Sequence, residues 1–340
     1  MKFGGNWAVC LLALACLLPL RAIAWGHQGH MLIGTIADQM LTPQARAGLQ
    51  RDLGLTLAQA APWADCAKGV VLGEQGLAYV EDARWASPAC TRFETTKGKQ
   101  AMQSYVARNW STCGQPRDCH KTYHYTDVAY QHGRYKMGYV GTHRHDLVHA
   151  TNAAIAQLQG QPVPPPFSFT SRAEALRLLA HFIGDLHQPL HVGALYLDAA
   201  GKPVDPDTPG HTEALDTRGG NSIATPEGNL HALWDDLPEG LRAKAVPVRM
   251  LQDARALRKS RGGVGSLAQS WASDTVAVSG AVFTGLSLGP ARRDKGREWP
   301  ASMADPGGYR TRMAQLQMAQ LTKAGARLAQ LVNVLYATPR

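Results

Sequence analysis

The sequence predicts an all-α fold, a single mainly helical domain with long surface loops. Three observations predict it. Apolar residues recur at three- and four-residue spacing in segment after segment. Runs that alternate apolar and polar residues at period two are sparse. No shift in composition along the 340 residues marks a boundary between domains. With 45% hydrophobic and 18% charged residues there is ample material for a core, which excludes a disordered chain and a polytopic membrane protein. Thirty-five Lys+Arg against 26 Asp+Glu give a formal charge of +9, a balance that favours anionic partners such as nucleic acid or phospholipid surfaces.

Taken in order, residues 1–24 stand apart from the fold. Lys2 opens the segment, residues 7–20 are apolar, and Ala22-Ile23-Ala24 fits a small-x-small cleavage pattern. The run is short for a bilayer span and Arg21 closes it, so it reads as an export signal. The domain is then 25–340, and cleavage would leave Trp25 as the new N-terminus. The first helix is predicted over 30–39, where Met31, Ile33, Ile36 and Ala37 share a face with Met40. Thr42-Pro43 stops it and starts a second over 43–53. A long candidate at 140–158 ends at the proline run 162–166. Ser171-Arg172-Ala173-Glu174 has the form of a capping box, and the helix it opens should end or kink near Pro189. Two more helices are predicted over 264–284 and 308–336. Residues 192–220 and 286–308, rich in Gly, Pro and Asp, read as loops.

Four cysteines remain beyond residue 24: Cys66, Cys90, Cys113 and Cys119. An even number in an exported chain predicts two disulfides, with three connectivities possible. Cys113 with Cys119 across a short Gly- and Pro-containing loop, leaving Cys66 with Cys90, is the preferred set. No Cys-x-x-Cys occurs, which argues against a thiolate zinc site. Asn109-Trp110-Ser111 is a formal glycosylation sequon.

The chemistry lies in histidines and aspartates. In the segment from His181 to His191, His181 and Asp185 are four apart and share a helix face. Pro189 turns the chain so that His191 can return to the same neighbourhood. His231 and Asp235 repeat the spacing. One such pair alone is more often a helix-surface ion pair. Two pairs with a further imidazole and no thiolate suit zinc in a catalytic setting with an open position for water.

Three shorter segments extend the pattern: Trp25-Gly26-His27-Gln28-Gly29-His30, Pro62-Trp63-Ala64-Asp65 and Tyr123-His124-Tyr125-Thr126-Asp127. Together with the two pairs they resemble the single-strand-specific zinc nucleases, the mung bean nuclease family with its fungal and bacterial relatives, from Trp25 to about Leu335. The 192–220 insertion departs from that pattern, as does Lys68 where the family commonly carries arginine. The resemblance implies the helical fold shared with zinc-dependent phospholipases C, and three Zn2+ ions. The first would take Asp65, His124, His181 and Asp185. The second would take His191, His231 and Asp235. The third would take the α-amino nitrogen and carbonyl of Trp25, His30 and the other oxygen of Asp185.

The resemblance further implies hydrolysis of single-stranded DNA and RNA to 5′-phosphorylated products, and of 3′-nucleotides. Asp65, Lys68 and Asp185 would serve catalysis, while Tyr125, Asp127 and Asn221 would bind substrate. A secreted or periplasmic monomer with no stable membrane association is expected. A phospholipase C on the same scaffold and a zinc-stabilised binding protein without turnover are the competing readings. The remaining histidines, His132 among them, match no role in the family. The glycines at 262–265 lack the rest of a dinucleotide fingerprint.

Overall fold

A computed structural model describes residues 25–81, 87–210, 214–292 and 298–337. The predicted export segment lies outside the described residues, as do His211 and positions 293–297. Helices dominate, and each predicted one is found with its ends moved by local chemistry. The first runs Gly26–Asp38, four residues earlier than apolar spacing alone predicts, so that His27 and His30 ride on its opening turns. Pro43–Asp52 follows, with the Thr42 hydroxyl accepting the Ala45 N–H as its cap. Arg172–Asp185 begins at Ser171, whose hydroxyl accepts the Glu174 N–H at 3.1 Å. The Glu174 carboxylate reaches one residue further back than a capping box would, to the N–H of Thr170. Pro189 begins a separate short helix, Pro189–Val192, rather than kinking the one before it, because its missing N–H is harmless at a first turn. Leu267–Phe283 and Pro306–Leu335 complete the long set.

The 140–158 prediction is half right. The helix is Leu147–Gln159, started by the Asp146 carboxylate accepting the His149 N–H. Residues 140–146 form a turn, where Gly141 takes φ +85° against the carbonyl of Asp127. Helices Thr96–Arg108 and Val248–Ala256 were not signalled by the apolar spacing.

All-α is too strong a description. The fold is mainly helical but carries four small sheets among the described residues. The segments read as loops hold several of their strands. Tyr196–Leu197 pairs with both Pro203–Val204 and Leu215–Asp216, and Leu286–Leu288 pairs with Trp299–Met303. Strands of two to five residues are too short to show a period in sequence.

Around the site, Gly26–Asp38 packs against Pro306–Leu335 and Arg172–Asp185, and Leu32, Ile33, Ile36, Leu176, Leu179 and Leu328 from these helices share one buried cluster. Two disulfides form, Cys66–Cys90 and Cys113–Cys119, the preferred set. They fit an oxidising compartment. Among the described residues no helix is long and apolar enough to cross a membrane. Asn109 of the sequon is fully buried, with its amide donating to the carbonyls of Tyr105 and Ser168. It is a structural residue in the folded chain.

Candidate metal centre

Asp185 is the last residue of its helix and is fully buried. Its two oxygens face different ways. Oδ2 lies 3.1 Å from His124 Nδ1 and 3.2 Å from His181 Nε2. Oδ1 lies 3.3 Å from His30 Nε2 and 3.8 Å from His191 Nδ1. Asp65 joins the first side, with Oδ1 3.5 Å from His181 Nε2 and 3.9 Å from His124 Nδ1. His30 and His181 stack at 3.7 Å between ring centres. Gly184 makes this possible, since a Cβ there would stand 2.6 Å from His30 Nδ1. A third group forms where His231 Nε2 meets Asp235 Oδ2 at 3.3 Å beside His191. The groups His30/His181/Asp185, Asp65/His124/His181 and His191/His231/Asp235 each hold donor atoms within 4.8 Å of one another.

Three of these rings are aimed from behind. Nδ1 of His181 donates to the carbonyl of Ala61 at 2.8 Å, that of His191 to His124 at 2.6 Å, and that of His231 to Gly219 at 2.7 Å. A carbonyl only accepts, so each Nδ1 carries a proton and each Nε2 faces inward, where the neutral ring offers a lone pair. The inward atoms include buried ones with no hydrogen-bond partner: His30 Nδ1 and Nε2, Asp65 Oδ2, Asp185 Oδ1, His191 Nε2 and Asp235 Oδ2. Buried polar atoms are otherwise nearly always paired, so this collection fits a site built for cations.

The electrostatics agree. Burial pushes His30, His124 and His191 below the ordinary imidazole range, His124 to about 3 with Lys68 adding to the effect. Burial would raise Asp65, but Lys68 and then His181 hold it well below the usual carboxylate range. Asp185 is likewise raised by burial and pulled far lower by His181 and His191. His181 rises because Asp185 and Asp65 outweigh its burial. Asp65 and Asp185 are therefore anions and His30, His124 and His191 neutral at pH 7, the forms that bind metal.

The other predicted residues fall around this centre. Lys68 closes the turn after Asp65, its ammonium 2.6 Å from Asp65 Oδ1. Tyr125 is 40% exposed while Tyr123 beside it is fully buried, so Tyr125 keeps a free face and is no core aromatic. Asp127 is buried; burial, followed by the charge of Asp216, holds it well above the usual carboxylate range. Asn221 is exposed, and its amide donates to the Arg218 carbonyl.

Trp25 is fully buried at the start of the first helix in a left-handed conformation, φ 45°. Its indole N–H donates to the Gly184 carbonyl and its backbone N–H to Asp235 Oδ1, both at 3.0 Å. The peptide nitrogen is therefore a donor, and the Trp25 carbonyl accepts the Gly29 N–H.

Sequence reasoning missed Gln188, whose amide holds Asp235 Oδ1 at 2.7 Å, and Asp216 with Arg218 beside Asp127. Gln188 sits between predicted ligands and could have been suspected. Asp216 lies in the insertion and could not.

The described residues of this mainly helical protein gather here three carboxylate–imidazole groups that could each hold a metal ion, two of them sharing His181. The chain belongs to the S1/P1 nuclease family, whose family model matches residues 25–337. It is 26% identical over 240 residues to Endonuclease 4 of Arabidopsis thaliana, a match covering 68% of this chain and 60% of that protein. Endonuclease 2 of the same plant is 27% identical over 219 residues, covering 62% and 54%. The chain thus spans about 60% of the first of these relatives.

Proposed function

We propose that this protein is an exported zinc-dependent endonuclease. It would hydrolyse phosphodiester bonds of single-stranded DNA and RNA to 5′-phosphorylated products, with 3′-nucleotidase activity. The observation that carries the reading is Asp185, whose two oxygens are divided between His124/His181 and His30. One zinc would be held by Asp65, His124, His181 and Asp185. A second would be held by His191, His231 and Asp235, and a third by His30, Asp185 and the amine and carbonyl of Trp25. The partnerless atoms of this cluster and the nitrogen and oxygen donor set fit zinc. Bound zinc supplies Lewis acidity, acidifying water and neutralising phosphate charge.

The chain's own residues do the rest. Lys68, beside Asp65, adds a positive charge for the phosphate oxygens, as a point charge rather than a fork. The open face of Tyr125 offers a base a stacking surface that any unpaired base can use, which favours single strands with little sequence preference. Asp127 offers a carboxyl to the base edge, and Asn221 lies on the loop that anchors His231. Residues 1–24 would be removed on export, leaving 25–340 as one monomeric domain without stable membrane association.

The test compares the processed, zinc-loaded protein on single-stranded DNA, duplex DNA, RNA, a 3′-nucleotide and phosphatidylcholine. Cleavage of single strands and release of phosphate from the 3′-nucleotide are expected. Hydrolysis of phosphatidylcholine alone would move the assignment to a phospholipase C, and no turnover with zinc bound would leave a binding protein.

A further inference from the structure

Sharing no residue with the centre, His132 meets Asp205 and Asp207. His132 closes a short turn, Tyr130–His132, and the aspartates come from the insertion at 192–220. His132 Nε2 lies 2.8 Å from Asp207 Oδ2 and 3.4 Å from Asp205 Oδ1, and the three donor atoms fit within 4.8 Å of one another.

Each member is held in place by something outside the trio. The His132 ring stacks on Tyr139 at 3.8 Å with 6° between planes. The Val140 N–H donates to both oxygens of Asp207, and the Asp207 N–H donates to Asp205 Oδ1. All three side chains are partly open to water, which could complete a coordination shell.

The plain alternative is an ion pair with protonated His132. One Nε2–H must then serve two carboxylates and leaves one negative charge over. No lysine or arginine pairs with Asp205 or Asp207 among the described residues. A neutral imidazole and two carboxylates balance a dication. An imidazole among the donors selects a borderline metal over calcium or magnesium, which take oxygen ligands.

We propose that His132, Asp205 and Asp207 form a separate zinc-class dication site that staples the insertion to the Tyr130–Val140 segment. The staple is reinforced where Gln131 donates to the Val204 carbonyl. The same insertion returns through Leu215–Asp216 toward Arg218 and Asn221, so the staple fixes the base of the arm that borders the centre. The site stands whether or not the reaction proposed above is correct.

Zinc is the probe. After dialysis against zinc, elemental analysis should find one ion per chain more in the unmodified protein than in Asp205→Asn or His132→Gln. Asp205→Asn keeps an oxygen for the Asp207 N–H, and His132→Gln leaves both carboxylates in place, so one serves if the other misfolds. Hydrogen exchange should slow in residues 130–142 and 198–210, by about tenfold at ten times the dissociation constant, and in neither variant. Equal zinc contents would overturn the proposal. So would exchange indifferent to zinc, or the same slowing by calcium that survives His132→Gln.

Discussion

Replacing Asp185 by asparagine tests the centre at its most connected point. The side chain is fully buried, and ring nitrogens of four histidines lie between 3.1 and 3.8 Å from its oxygens. The amide keeps the volume and removes the charge. It also turns an NH2 toward one set of rings, so at most one side retains an oxygen. Removing one partner of a buried charge cluster costs about 3–5 kcal/mol. Losing an outer hydrogen-bond partner already weakens metal binding about 10–100-fold, and a carboxylate facing the ions should exceed that range. The expected result is loss of more than one zinc per chain by elemental analysis, together with loss of turnover on single-stranded DNA. Asp235→Asn is the comparator, since Asp235 is proposed to ligate a single ion, with His191 and His231, and should lose only that one. Equal losses in the two variants, or full zinc and activity in Asp185→Asn, would refute the idea that Asp185 serves two ions.

Three further outcomes are expected. Tyr125→Ala should weaken single-strand binding by about 1–3 kcal/mol with zinc content intact, read as a higher Michaelis constant; unchanged kinetics would mean its exposed face is unused. Asp127 has a folded-state value raised above its unfolded one, so its ionisation destabilises the fold increasingly as pH rises above the unfolded value of about 4. The melting temperature of Asp127→Asn relative to the unmodified protein should therefore climb between pH 4 and 7, and a difference independent of pH would count against the burial argument. A protein carrying one extra residue before Trp25 should hold fewer zinc ions and turn over slowly while keeping its fold, because a peptide nitrogen has no lone pair to give; equal zinc and equal turnover in the two forms would remove Trp25 from the ligand set.

Much of the centre was legible because its residues lie on elements with a fixed period. His181 and Asp185, like His231 and Asp235, sit one turn apart on helices, and one turn is what a spacing of four means. What stayed hidden depends on tertiary approach. Asp216 reaches Asp127 because a two-residue strand pairs with Tyr196–Leu197, and nothing in a two-residue strand announces itself. The helix expected from residue 140 fails for a readable reason, since Gly141 must turn against Asp127 and Asp146 then caps the real start. The second site at His132 needs two segments about 70 residues apart, and only the fold brings them together.

Several residues that break local rules are gathered at the centre, although others, such as the left-handed Asp118 and the unpartnered ring of His120, are not. Asp185 places an anion at the C-terminal end of a helix, where the helix dipole disfavours it by about 0.3–1 kcal/mol. Trp25 adopts a left-handed conformation that costs a residue with a side chain about 1–2 kcal/mol. His30 is buried with neither ring nitrogen hydrogen-bonded. Any one of these could be tolerated by a well-packed core. Together they are joined by direct contacts: the Trp25 indole holds the carbonyl of Gly184, Gly184 leaves room for His30, and His30 faces Asp185. A core selected for stability alone would replace such a chain of exceptions with apolar side chains. Its persistence in one connected path is a physical argument that the first helix and the Arg172–Asp185 helix are placed to serve a cation.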